Sequence, residues 1–301
     1  MTERVNIAVI GSGPGGLSCA ARAAELGLSH VLLEAEDHPS HTIYRYQKGK
    51  HVMAEPVVLP LRSPLAFAAG KREAILAAWD RDIEKYKVNL RFRAQVTKIT
   101  GEKGAFEIRT AAGDVFHAEH VVLGIGLQGN LRKLGVPGED LPLVQYQLDD
   151  PDAYAGETIV VVGSGDAGIE NALALAETNR VILINRNEEF ARAKQGNLDA
   201  ILAAIQDGRI ECRYSTKAVR VDAAETDGMP LVFEVQTPNG RDTIACHRII
   251  ARLGATPPRG LVESFGVRFP SKDPAAVPQV SAQYESNVPG LYIVGALAGY
   301  P

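Results

Sequence analysis

Two short apolar runs, Val5-Asn-Ile-Ala-Val-Ile10 and Thr158-Ile-Val-Val-Val162, are each followed at once by glycines. The glycines read Gly11-Ser-Gly13-Pro-Gly-Gly16 and Gly163-Ser-Gly165-Asp-Ala-Gly168. Runs of this length and β-branched content predict strands. Beyond each loop, small and apolar residues recur at helical spacing: Leu17, Ala20, Ala21 and Ala24 in one, Ile169, Leu173, Leu175 and Ala176 in the other. Pro14 falls in the first turn, where a helix accepts proline. Each helix leads to a new apolar run, Val31–Leu33 and Val181–Ile184, so both segments predict complete β-turn-α-β units. Shorter alternating runs follow. They predict strands at Val96–Thr100, Ala105–Thr110, Val115–Ala118 and His120–Leu123. In the second half they fall at Ile210–Tyr214, Val219–Val221, Leu231–Gln236, Thr243–Cys246 and Arg248–Leu253. A helix is expected over Pro64–Tyr86, with Leu65, Ala68, Ile75, Ala78, Trp79 and Ile83 turned inward. One plan used twice indicates an internal duplication. The second copy is inserted into the first: only 47 residues follow Gly254, too few for a domain, and they end in an apolar run, Leu291–Val294, that can complete the first sheet.

Composition narrows the function classes. Hydrophobic residues make up 46% and charged residues 23% of 301, which excludes intrinsic disorder. A net charge of −4 argues against nucleic-acid binding. No apolar run reaches the roughly 18 residues of a membrane span, and the N-terminus lacks the features of a signal segment. The three cysteines, Cys19, Cys212 and Cys246, are far apart and form no CxxC, against a disulfide framework, a zinc site or an internal dithiol. The cytoplasm is the expected compartment. No cluster has metal-ligand spacing, and no G-x-S-x-G elbow occurs.

The glycine loops carry the chemistry. A dinucleotide diphosphate needs backbone N–H groups and the positive end of a helix. The first glycine permits the turn, the second lets the diphosphate approach, and the third lets helix and strand pack closely. One GxGxxG is weak evidence in a chain with 29 glycines; two, each inside a β-turn-α-β unit, are strong. Glu34 ends the strand after the first helix, 23 residues past Gly11, where an acid binds the adenosine ribose. The equivalent end in the second unit reads Asn185-Arg186-Asn187, with no acid. Arg186 can pair with a 2′-phosphate, which favours NADPH, with NADH as the alternative.

These motifs resemble the two-dinucleotide-binding-domain flavoproteins, and within them the thioredoxin reductase branch. The resemblance covers nearly the whole chain: Gly11–Gly16 with Glu34, Val121–Gly126 followed by Gly135–Glu139, Gly163–Glu170, Asn185–Ala193, and Leu253–Pro257. It implies an α/β fold of two Rossmann-like domains with three-layer ββα sandwiches. A discontinuous FAD-binding domain, 1–126 plus 255–301, would enclose an NAD(P)-binding domain, 127–254. The residues implied at FAD are Gly11, Gly13, Pro14, Gly15, Gly16, Glu34, Lys50, Gly126 and Gly295. Those implied at the pyridine nucleotide are Gly163, Gly165, Asp166, Gly168 and Arg186.

The departures from that branch are as informative. Gln145–Asp150 lies where thioredoxin reductases carry CxxC, and it holds no cysteine. Gly295-Ala296 stands where the family has Gly-Asp. The segment after Glu34 lacks the family's Gly-Gly-x-Leu. It reads His41-Thr-Ile-Tyr-Arg-Tyr-Gln-Lys-Gly-Lys50, and it puts Tyr44, Tyr46, Lys48, Lys50 and His51 where the family's chain passes the flavin. A lysine there would stabilise a reduced anionic flavin; an ordinary basic surface loop is the competing reading. The stop at Pro301, without the family's last helix, points to a shortened chain or a module of a longer protein. Cysteine-free relatives, resembling bacillithiol disulfide reductase or fused reductase modules, are nearer. The expected function is therefore hydride transfer from NADPH to flavin and on to an external acceptor, a protein or a fused domain, by a homodimer. No side chain is assigned as catalytic. The competing function is a flavin- or nucleotide-binding sensor with little turnover.

Overall fold

The structure, a computed structural model, describes residues 2–52 and 62–300. Two compact units are formed: Met1–Asn130 with Ala255–Pro301, and Leu131–Gly254. The first passage between units falls at Asn130 rather than Gly126. Leu127 packs on the first unit's core, and Asn130 Nδ2 donates to Thr256 Oγ1 at 3.0 Å and to Pro257 O at 3.3 Å.

In chain order the first unit contains β1 (Thr2–Ile10), α1 (Pro14–Glu25), β2 (His30–Leu33), α2 (His41–Tyr44), β3 (His51–Val52) and β4 (Gly70–Lys71). It continues with α3 (Arg72–Tyr86), β5 (Leu90–Arg91), β6 (Val96–Thr100), β7 (Phe106–Thr110) and β8 (Val115–Leu123). The main sheet runs β5-β2-β1-β8-β7-β6, and the strand Leu291–Ile293 also pairs with β8. Period-two alternation along β1 sends Val9 to a core with Leu17, Leu32, Ile75 and Trp79 on the helical face. Ala8 and Ile10 go to the other face, with Ile108, Phe116 and Leu291.

Two expectations are corrected. Val115–Ala118 and His120–Leu123 form one strand. Its first half pairs antiparallel with β7 and its second half parallel with Leu291–Ile293, while β1 runs along it. The helix expected from Pro64 begins at Arg72, because Gly70–Lys71 is drawn into a hairpin with His51–Val52. Leu65 is still buried, and Trp79 Nε1 donates to Ala66 O, so this loop packs on α3 instead of lengthening it. Ala68 is exposed.

The second unit contains β9 (Val144–Gln145), β10 (Thr158–Val162), α4 (Asp166–Leu175), β11 (Arg180–Ile184), α5 (Gln195–Gln206) and β12 (Ile210–Arg213). A meander follows, β13 (Lys217–Thr226), β14 (Met229–Thr237) and β15 (Gly240–Cys246), and then β16 (Arg248–Ala251). The sheet β12-β11-β10-β16-β9 is parallel. Ile159, Val161 and Leu183 pack under α4 and α5. Val160, Val162 and Ile184 pack under Phe233, Val235 and Ile244 of the meander. This unit is a helix–sheet–sheet sandwich. Among the described residues no helix is long and apolar enough to cross a membrane.

Candidate functional site

The first glycine loop is shaped by what a side chain would strike. Gly11 has φ +91°, and a Cβ on it would lie 2.7 Å from Gly124 O. A Cβ on Gly16 would lie 2.0 Å from Gly11 O, so helix and strand approach as only glycine allows. A Cβ on Gly13 would meet only Gly124 O, at 3.7 Å. The flanking glycines are closed by the protein's own backbone and the middle one is left with room. Pro14 opens α1, which has neither a side-chain cap nor an acid in its first turn. The Gly15 and Gly16 N–H groups therefore lie among the orphan donors of that helix end, a fit for an anion. A Cβ on Gly15 would touch Val294 Cγ2 at 3.3 Å, so Gly295, with φ +70°, sits beside the loop.

Glu34 is buried at the end of β2. Its Oε2 accepts from Ser12 N at 2.9 Å and from Ser12 Oγ, and its Oε1 accepts from Glu36 N at 3.0 Å. Ser40, also buried, donates from Oγ to Ser12 O at 3.1 Å. Three donors leave a carboxylate with about one acceptor position, enough for a sugar hydroxyl. The Ser12–Ser40 link carries no sequence signal, since two serines in no shared motif do not mark a contact. Gly126, with φ +60°, follows the end of β8.

Lys50 is held by its own loop. Its Nζ lies 4.6 Å from the centre of the Tyr46 ring, its N–H donates to Gln47 O, and its carbonyl accepts from Arg72 N. Arg72 Nη1 donates to Tyr44 O at 2.6 Å and to Tyr46 O, and Glu73 Oε1 accepts from Gly49 N at 3.1 Å. The start of α3 thus holds the aromatic and basic segment. Burial pushes Glu73 up, but the Gly49 and Arg72 hydrogen bonds outweigh it and lower the carboxyl to about 2.

The second loop repeats the plan. A Cβ on Gly163, at φ +123°, would lie 2.3 Å from Arg252 O, one on Gly168 would lie 2.0 Å from Gly163 O, and one on Gly165 would meet nothing within 4 Å. Asn185 matches Glu34 in position: its N–H donates to Arg213 O at 3.0 Å, as Glu34 N donates to Arg91 O at 2.9 Å. It is fully buried and neutral, with Oδ1 accepting from Asn187 N at 2.9 Å. Arg186 follows it, exposed. Asp166 works within the protein: Oδ1 accepts from Lys194 N at 2.9 Å and from Asn197 Nδ2 at 2.8 Å, tying the chain after Arg186 to α4.

All three cysteines are free. Burial pushes the thiols of Cys19 and Cys212 up to about 11 and that of Cys246 up to about 12. Among the described residues no group of three or more His, Cys, Asp or Glu could hold a metal ion.

Residues 8–295 match the family described as pyridine nucleotide-disulphide oxidoreductase. The chain belongs to this family. Ferredoxin–NADP reductase of Ignicoccus hospitalis is 27% identical over 297 residues, 97% of this chain and 90% of that one. The enzyme of the same name from Gluconacetobacter diazotrophicus is 29% identical over 309 residues, covering 100% of this chain and 86% of its own. Bacillithiol disulfide reductase of Staphylococcus aureus superposes with a TM-score of 0.88 at 20% identity, over 98% of this chain and 91% of that one. Thioredoxin reductase of Lactococcus lactis gives 0.79 at 20% identity, over 99% and 91%. The last two likenesses show a shared fold. In this pyridine nucleotide-disulphide oxidoreductase the segment Gln145–Asp150 has no thiol, and no pair of cysteines is close enough in sequence to form a CxxC.

Proposed function

We propose that the first unit holds FAD, that the second binds NADPH, and that electrons leave to a ferredoxin-type protein. The chain is an NAD(P)H-dependent flavoprotein reductase whose cofactors are FAD and NADPH. One observation carries the assignment of the two sites: the same cradle is built twice, once beside the buried acid Glu34 and once beside neutral Asn185 and exposed Arg186. Gly13 and Gly165 leave room for a diphosphate, and the starts of α1 and α4 face it with their positive ends. Glu34 accepts from the adenosine ribose. Arg186 pairs with the 2′-phosphate, and Asp166 positions the loop that carries it. Bound FAD supplies hydride acceptance and onward electron delivery. The absence of an internal dithiol favours an external acceptor, and the names of the curated relatives favour ferredoxin.

The test is anaerobic mixing with NADPH followed by reduced-ferredoxin absorbance. Rapid bleaching of bound flavin, then ferredoxin reduction, is expected. A second reading, a binding module with little turnover, is favoured by Ala296 in place of the family's aspartate. Nucleotide binding without bleaching would select it.

A further inference from the structure

We propose that Ser40 is a positioning residue for FAD: it ties the Glu34 carboxylate to the start of α2, so that ribose binding at Glu34 and ordering of α2 reinforce each other. This rests on the reading of the first unit as the FAD-binding one. Ser12, inside the glycine loop, is fully buried, and its polar groups are divided between two partners. Its N–H and Oγ donate to Glu34 Oε2. Its O and Oγ accept from Ser40 N, each at 3.1 Å, and its O also accepts from Ser40 Oγ at 3.1 Å. Ser40 N–H, Ser12 Oγ–H and the Glu34 carboxylate thus form a run of hydrogen bonds in which each polarises the next.

Ser40 departs from what its place predicts. It directly precedes α2, where a serine ordinarily has an extended backbone and accepts from the helix's own N–H groups. Here φ is 54° and ψ is 40°, and the hydroxyl caps nothing in α2. The left-handed region is unfavourable for a residue with a Cβ, and the bonds to Ser12 hold Ser40 in it. In this conformation the N–H and Oγ of Ser40 reach the glycine loop, while its carbonyl accepts from Ile43 N at 2.8 Å and from Tyr44 N at 3.0 Å. Ser40 is 1% exposed, so water does not compete for these bonds. One residue joins the glycine loop to α2.

A ribose hydroxyl needs the Glu34 carboxylate held in one orientation. Glu36 N fixes Oε1 and Ser12 fixes Oε2, and Ser12 is itself fixed by Ser40. FAD therefore binds better to the form in which Ser40 is engaged, and a ligand with such a preference shifts the population toward that form. The coupling is reciprocal: engagement of Ser40 raises the affinity for FAD by the factor by which FAD raises engagement. The chain beyond α2 is held separately, by Arg72 Nη1 on Tyr44 O and Tyr46 O. Release at Ser40 therefore loosens the start of α2 without freeing the whole segment.

The full chain, stripped of flavin, would be titrated with FAD, and hydrogen exchange at the Ile43 and Tyr44 amides followed with and without it. Ser40→Ala removes the hydroxyl bond to Ser12; Ser40→Gly removes it and also relieves the backbone. In the wild type, FAD is expected to slow exchange at these amides by roughly tenfold. Both variants should bind FAD about three- to tenfold more weakly, and the effect of FAD on exchange should shrink by the same factor. Exchange in Ser40→Ala that is faster by one factor with and without FAD, at unchanged affinity, would make Ser40 structural and overturn the proposal. So would wild-type behaviour of Ser40→Gly, which would place the effect in backbone strain, or failure of both variants to fold. The two possible failures are distinguishable. FAD that binds the wild type without slowing exchange at these amides removes the coupling alone; a wild type that takes up no FAD removes the reading of the first unit.

Discussion

At the scale of single residues, glycines in one motif have opposite tolerances. Gly13 has φ −62°, a backbone any residue adopts, and its neighbourhood is open. Gly13→Val is therefore expected to fold but to purify without flavin, because the new methyls occupy the diphosphate's space. Flavin content and thermal unfolding check this together; normal flavin would refute the first-loop assignment. Gly16 lies in contact with Gly11 O, so a side chain there would disturb the fold itself. Arg186 is a different case, an exposed cation that on the proposed reading pairs with the nucleotide's 2′-phosphate. A charge-assisted contact is worth about 1.5–3 kcal/mol. Arg186→Ala should thus lower the preference for NADPH over NADH by roughly ten- to a hundredfold. Dissociation constants for both nucleotides measure it, and an equal loss for both would count against the 2′-phosphate contact.

At the scale of elements, α3 begins where Arg72 and Glu73 grip residues 44–50, and that grip depends on pH. The Glu73 carboxyl lies at about 2, against an ordinary 4.5. A carboxylate lowered on folding stabilises above its unfolded value, and that contribution fades as pH falls toward the folded one. The Gly49 amide should lose protection from hydrogen exchange between about pH 4.5 and 2, and Glu73→Ala should lack that step. The same region shows why parts of the fold are hard to read from sequence. The two βαβ units are legible because strand, glycine loop and helix follow one another locally. The start of α3 is not, because the pull of His51–Val52 on Gly70–Lys71 comes from a segment distant in sequence. β8 reads as two strands because its burial alternation slips at Glu119 and His120, where its partners change. Asp166 carries a recognisable motif position, yet its partners Lys194 and Asn197 lie on the next turn of the fold.

At the scale of the whole molecule, the question is how electrons leave. Family members that reduce disulfides internally need two thiols able to form and break a bond, and one must ionise readily. Here Cys19 lies on α1 of the first unit, while Cys212 and Cys246 lie on β12 and β15 of the second. Burial raises all three, to about 11, 11 and 12, so at neutral pH they are protonated and poor nucleophiles. Cys246 sits in the core with Phe233 and Ile244, and Cys19 packs beside the helical core of the first unit; both act there as small apolar groups. A triple Cys→Ser variant should therefore keep NADPH-driven reduction of ferricyanide or a quinone. Its cost should fall on stability, on the order of 1 kcal/mol per site from lost packing. Steady-state turnover and unfolding temperature of the two proteins, measured with flavin content, separate these effects. Lower unfolding temperature with turnover intact is the expected pattern. A hundredfold fall in turnover with flavin retained would place a cysteine on the electron path and require a thiol-based acceptor step.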